Sequence, residues 1–123
     1  MTPRAIVRVD SIFETALGIV LVAGGAVGLF GPEDFPTPVG TVLVVVFGFA
    51  LLPVGALLWQ LARGPLPQRL LRTLGTANLA TAAAAAAWYL AASGFSAAGA
   101  ALTILTGVAL ALLSAAQLRA ARG

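Results

Sequence analysis

Four long apolar runs occupy nearly the whole chain, and short polar connections separate them. A helix needs about 20 apolar residues to cross the roughly 30 Å hydrocarbon layer of a membrane. Runs of this length lie at residues 12–30, 39–61, 74–92 and 97–118. The residues that remain are too few for a soluble domain. The pattern therefore predicts one all-α domain, residues 1–123, folded as a four-helix transmembrane bundle.

Composition supports the membrane prediction and excludes several kinds of site. Hydrophobic residues make up 60% of the chain and charged residues only 9%, which leaves too little polar surface for a water-soluble domain of this size. The chain contains neither cysteine nor histidine. Disulfides, thiolate catalysis and the usual zinc, copper or haem ligands are therefore excluded, and we expect no metal and no cofactor.

The basic residues predict how the chain is threaded. All seven are arginines, and they lie in the N-terminal segment, the central connection and the C-terminal segment. Because arginine-rich segments stay on the cytoplasmic side, we expect a multi-pass protein of the bacterial inner membrane with both termini in the cytoplasm. This orientation accounts for the net charge of +3, so nucleic-acid binding is not expected.

The connections and small residues predict the local geometry. Loop 31–38 has three prolines, so we expect the first helix to end near Phe30 and an irregular outer loop to follow. The short turn 93–96 makes spans three and four antiparallel neighbours. In span one, Gly24 and Gly28 form a GxxxG pair that is typical of helix packing. In span two, Pro53 is expected to kink the helix or free a carbonyl group.

A weak internal repeat relates the two halves of the chain. Arg8 lies six residues before Glu14, and Arg72 lies six residues before Asn78. Spans two and four also end alike, in a glutamine-leucine pair near an arginine. One explanation is two related helical hairpins in a parallel repeat about an axis along the membrane normal. The other explanation is that alanine-rich helices with basic ends resemble each other by composition alone.

Acidic residues within a span are candidates for function, because a charge at mid-membrane costs roughly 2.5–3.5 kcal/mol on insertion scales. Glu14 lies about one turn inside the first span. It is interpreted either as an ion-pair partner of an arginine or as a site for a proton or ligand. Asp10 precedes Glu14 by one helical turn, so the two carboxylates can share a cation or a proton.

Polar residues of the other spans are expected to join these acids. Asn78 needs a hydrogen-bond partner in lipid, and Glu14 is the expected one. We therefore predict an inner cluster of Asp10, Glu14, Asn78 and one or more arginines. The polar face of span four, which includes Gln117, is interpreted as helix packing, with a polar cavity as the alternative. The candidate ligand-binding or ion-coupling residues are Glu14, Asp10, Asn78, Arg72, Trp59 and Gln117.

The chain carries short motifs in a recognisable order: R-x-D-x-x-F-E-x-x-L-G at 8–18, L-L-P-x-G-x-L-L-W at 51–59, and Asn78. In these it resembles small four-span integral membrane proteins of actinobacteria and related bacteria. The likeness covers most of the chain and implies the architecture without a substrate. The chain is also similar to small multidrug resistance transporters in length, span number and an acidic residue in span one. The aromatic and glycine motifs around that residue are missing.

These observations lead us to expect a non-enzymatic membrane protein. It would bind a lipid or another apolar ligand, or serve as an accessory or structural subunit. The alternative is an oligomeric small transporter or channel coupled to protons or cations through Glu14. A lipid-modifying enzyme ranks last, since acid-base groups are confined to Asp10 and Glu14 inside and to Glu33 and Asp34 outside. The expected partners are membrane lipids, further copies of the chain or a larger membrane complex.

Overall fold

The computed structural model describes residues 1–36 and 40–123, and within them the protein is all-helical with no strand. The helices are α1 (Pro3–Ala26), α2 (Gly40–Leu61), α3 (Gln68–Ala91) and α4 (Ala97–Ala121), with a 3₁₀ turn at Pro32–Asp34. The prediction of an all-α four-helix bundle is confirmed. The predicted first residue of span two, Val39, lies outside the described residues, as do Thr37 and Pro38 of the predicted loop.

Two of the four helices, α2 and α4, are long and apolar enough to cross a membrane. α2 remains helical through Pro53. The antiparallel order of the helices brings every arginine to one end of the bundle, which we call the basic end. Glu33 and Asp34 lie at the other end, which we call the acidic end.

The helix boundaries follow from local chemistry. The Thr2 hydroxyl caps α1 by accepting from the Ala5 amide at 3.1 Å, and Pro3 occupies the first turn. α1 ends at Ala26, four residues before the predicted end, because Gly28 adopts a φ of +82° and reverses the chain. Phe30 then folds back against Gly24. The predicted Gly24–Gly28 pair is therefore not a helix-helix contact.

Each hairpin is held by close contacts at small residues. In the first hairpin, a Cβ atom on Gly18 would lie 2.8 Å from the Gly48 carbonyl oxygen of α2. The Ser11 hydroxyl of α1 also donates to the Gly55 carbonyl at 2.6 Å. Small residues let neighbouring backbones approach and allow such interhelical hydrogen bonds.

The second hairpin repeats this device with the roles exchanged. Here the Ser114 hydroxyl of α4 donates to the Gly75 carbonyl of α3 at 2.7 Å. Gly75 precedes Asn78 by three residues, as Ser11 precedes Glu14.

The two hairpins meet chiefly through α1 and α4, and apolar clusters lie at both ends of the junction. Near the basic end the buried residues are Val7, Leu58, Ala62, Leu71 and Ala121. Towards the acidic end they are Leu17, Leu21, Phe30, Phe35, Val44 and Leu51. Phe35 is 1% exposed, and its ring lies between those of Phe30, Trp88 and Phe95.

A carboxylate fixes the acidic-end loop to α4. Asp34 accepts a hydrogen bond from the Ser96 hydroxyl at 2.6 Å and another from the Gly31 amide at 2.7 Å. Both bonds stabilise the carboxylate and hold the pKa of Asp34 below its ordinary value, and the bond from Ser96 has the larger effect. The Ser96 amide in turn donates to the Asp34 carbonyl. The first hairpin is thereby tied to the start of α4.

The same substitution at two glycines of α1 tests the packing of the first hairpin. We expect Gly18→Ala to lower the free energy of unfolding by about 1–3 kcal/mol, because the methyl group meets backbone and Leu52 atoms of α2 within 3 Å. Gly25→Ala meets only the Phe30 ring, at 3.6 Å, and should be neutral or stabilising. Circular dichroism during denaturation in detergent micelles measures both. Equal losses would contradict the assigned contact.

Candidate functional site

Among residues 1–36 and 40–123, seven polar residues are buried: Asp10, Ser11, Glu14, Asn78, Thr103, Ser114 and Gln117. Three of them have a structural role. Ser11 and Ser114 bridge helices as described, and the Thr103 hydroxyl donates to the Gly99 carbonyl of its own helix at 2.9 Å. The remaining four form one group, which we call the polar cluster: Asp10, Glu14, Asn78 and Gln117.

Three side chains of the polar cluster close a hydrogen-bonded ring across α1, α3 and α4. The Asn78 Nδ2 group donates to Asp10 Oδ2 and to Gln117 Oε1, both at 2.8 Å. The Gln117 Nε2 group donates to the same Asp10 Oδ2. One carboxylate oxygen of Asp10 therefore receives two N–H donors, which stabilise its negative charge in a buried position.

Glu14 completes the cluster from the next turn of α1. Glu14 follows Asp10 by four residues, hence on the same face of α1, and is 5% exposed. Two buried oxygens, Asp10 Oδ1 and Glu14 Oε2, have no hydrogen-bond partner among the described residues. Buried carboxylate oxygens are normally partnered, so the pair has unused capacity for a proton or a ligand.

The structure brings together four of the six candidate residues. Arg72 is exposed, as are Arg63 and Arg119, so among the described residues the structure brings no arginine into the polar cluster. Long guanidinium side chains at the bundle end reach solvent without entering the core, and they lose no hydration by doing so.

Two further expectations are corrected by the geometry. Asn78 bonds to Asp10, one helical turn before Glu14, and to Gln117. Trp59, 39% exposed, lies outside the cluster and stacks under the Arg8 guanidinium at 5.6 Å. That contact is a cation–π interaction at the basic end.

A second feature is an apolar cavity of about 210 Å³ in the acidic half of the bundle, which the sequence analysis did not predict. It lies where α2 and α3 face each other with few direct contacts. Phe35 and Trp88 line it, and the exposed residues Leu43 and Ala84 stand at its rim. Its walls come from all four helices and the loop, so no single helix carries a pattern that reveals it.

No family model, no curated protein and no solved structure matches this chain. The site is therefore interpreted from its own geometry.

Isosteric substitutions on α3 test the ring. We expect Asn78→Leu to lower the free energy of unfolding by about 1–3 kcal/mol, since it removes both donors and leaves Asp10 and Gln117 under-bonded. Thr73→Val is the control, because the exposed Thr73 hydroxyl bonds only the Arg69 carbonyl of its own helix. Its effect should stay within about 0.5 kcal/mol in the same detergent denaturation assay. A neutral Asn78→Leu would contradict the ring.

Proposed function

We propose that this chain is a non-enzymatic four-span protein of the bacterial inner membrane that binds an apolar chain, such as the acyl chain of a lipid, in the cavity between α2 and α3. The observation that carries the proposal is the cavity itself: it is apolar, and residues of its rim are exposed on the outside of the bundle. The proposed membrane architecture rests on separate evidence.

The distribution of polarity supports four spans. Two acidic and two amide side chains are buried, while large apolar side chains are exposed on every helix, among them Ile12, Ile19, Phe49, Leu79, Leu90, Leu105 and Leu112. Exposing this much apolar surface to water costs free energy, whereas exposing it to lipid tails does not. The helices have 22 to 25 residues, hence lengths of about 33–38 Å, enough for the hydrocarbon layer.

The charges support the proposed orientation. The basic end carries all seven arginines, and the acidic end carries Glu33 and Asp34. The rule that arginines remain on the cytoplasmic side then places both termini and the α2–α3 connection in the cytoplasm.

The walls of the cavity favour an apolar occupant from the lipid phase. Phe47, Leu102 and Trp88 offer carbon atoms, and Ala84 and Ala85 keep the space between them open. A void of this kind forfeits dispersion contacts, which an inserted run of methylene groups restores. A lipid chain is the occupant that a cavity at the lipid-facing surface meets most often.

The alternative, an oligomeric transporter or channel coupled through Glu14, ranks second. The cavity is lined by residues of the acidic half of each helix, among them Leu21, whereas Asp10 lies in the basic half and Glu14 near the middle of α1. None of the four polar-cluster residues lines the cavity. Within the described residues, the cavity that could hold a substrate is therefore separate from Asp10 and Glu14.

Single cysteines test the threading, because the natural chain has none and gives no background labelling. A membrane-impermeant maleimide should label Ser93→Cys, in the acidic-end turn, in intact spheroplasts. Pro65→Cys, in the central connection, should be labelled only after permeabilisation. Both positions are exposed. The reverse pattern would contradict the orientation, and labelling of both from outside would contradict four spans.

Tryptophan quenching tests the occupant. In a Trp59→Phe background, Trp88 is the sole tryptophan and lines the cavity. Lipids with brominated acyl chains should quench its fluorescence at a low mole fraction, because the cavity concentrates a chain beside the ring. Ala84→Leu should remove this saturable component, since the larger side chain fills the cavity.

Ala87→Leu is the matched control for that experiment. Ala87 lies on the same helix, is exposed, and is absent from the walls of the cavity. Its quenching curve should match that of the parent. Identical curves for the two leucine variants would contradict acyl-chain binding in the cavity and would show that Trp88 senses only bulk lipid.

A further inference from the structure

We propose that Asp10 and Glu14 together bind one proton, so that the polar cluster carries a single negative charge. This site lies in the basic half of the bundle and is independent of the cavity and its occupant. The inference rests on four observations. Both carboxyl groups are buried, and each has one oxygen without a partner. Asp10 receives N–H hydrogen bonds and Glu14 Oε2 does not, and the side chains that face the pair from the other helices are neutral.

Burial makes two negative charges costly at this place. Asp10 is 1% exposed and Glu14 is 5% exposed. Asp10 Oδ1 and Glu14 Oε2 are both buried without a partner. Two buried carboxylates one helical turn apart repel each other and lack the water that would screen their charges. One of them therefore takes up a proton, as in other carboxyl dyads.

No positive charge from a neighbouring helix relieves the pair. α2, which packs against α1, contains no ionisable residue. The groups facing the pair from α3 and α4 are the neutral amides of Asn78 and Gln117. The arginines of those helices are exposed, as are Arg4 and Arg8 on α1. Asp10 is accordingly the charged group that acts on Glu14.

The hydrogen bonds indicate which residue carries the proton. Asp10 Oδ2 accepts two N–H donors, and these favour the ionised form of Asp10. Glu14 receives no such donor at Oε2. A protonated Glu14 donates an O–H group to Asp10, which supplies the hydrogen that the two unpartnered oxygens lack. Asp10 is then the carboxylate of the pair and Glu14 the carboxylic acid.

A metal cation fits the site less well than a proton. The described residues contain no group of three or more histidine, cysteine, aspartate or glutamate side chains that could hold a metal ion. Hard divalent cations such as Ca²⁺ use six to eight oxygen ligands. The principal cavities of the described chain are also lined by other residues, so the pair lies in packed surroundings.

The position of the pair gives the proton a structural consequence. The polar cluster joins α1 of the first hairpin to α3 and α4 of the second. Loss of the proton leaves two negative charges at this junction, which favours entry of water and weakens the docking of the hairpins. Raising the pH should therefore loosen the bundle.

Infrared spectroscopy of the full chain in a detergent without ester groups tests the proposal. The chain has four acidic side chains, and Glu33 and Asp34 lie at the acidic end, where Asp34 favours its ionised form. The C=O stretch of a protonated carboxylic acid at neutral pH must then come from the buried pair. We expect this band in the natural chain, its disappearance on alkalinisation and its loss in Glu14→Gln. Glu33→Gln, the control, should keep it.

Two of the outcomes distinguish a bound proton from a bound cation even if the Glu14→Gln variant does not fold. Absence of the acid band from the natural chain at neutral pH, or its loss on addition of Na⁺ at constant pH, would overturn the proposal in favour of a bound cation. Survival of the band in a folded Glu14→Gln variant would overturn the assignment to the pair. Where the variant folds, its melting temperature should no longer fall with rising pH as that of the natural chain does.

Discussion

The hydrogen-bonded ring around Asp10 is the interaction on which the relative placement of the two hairpins depends. Each hairpin has its own fastening, a close helix approach at glycine and one serine-to-carbonyl bond. Between the hairpins, apolar contacts are non-directional and allow sliding. The bonds from Asn78 and Gln117 to Asp10 are directional, and in a dry interior an unmade bond costs free energy. They therefore select one register for α1 against α3 and α4.

A second tie at the acidic end makes that placement rigid while leaving space between α2 and α3. Asp34 and Ser96 exchange side-chain and backbone bonds, and the Phe35 ring inserts among aromatic side chains of the other hairpin. Because the junction is closed by the polar ring at one level and by the aromatic group at the other, α2 and α3 need not touch. The apolar cavity is the space that this arrangement leaves.

Periodicity and charge were sufficient to predict the four helices, their order and the common end of the arginines. Asn78 was recognisable as a residue that needs a partner in another helix, and Gln117 as part of a polar face. Whether Asp10 or Glu14 is that partner depends on the rotation and depth of α1 in the bundle. The two residues differ by only one helical turn, and periodicity does not give the depth that finely. The described arginines stay outside the polar cluster because a flexible cation at a bundle end can reach water.

The glycine contacts and the cavity show the same limit of sequence reasoning. Gly18 and Gly24 are equivalent as small residues, yet one meets α2 and the other meets Phe30, because the chain reverses at Gly28. That reversal also places Phe35 in the core. A side chain of an irregular, proline-rich loop thus forms a wall of the cavity. The periodic pattern of the helices cannot predict the position of such a side chain.

The two hairpins place different polar residues next to their interhelical hydrogen bonds. Glu14 lies three residues after Ser11, and Asn78 lies three residues after Gly75. An acid in both places would bring three carboxyls to the junction without a donor. An amide at position 78 instead donates one N–H bond to Asp10 and one to the Gln117 carbonyl oxygen, and the Gln117 amide donates the second bond to Asp10. Glu14 Oε2 is left without a donor. The asymmetry between the halves is what gives the two carboxyls different roles.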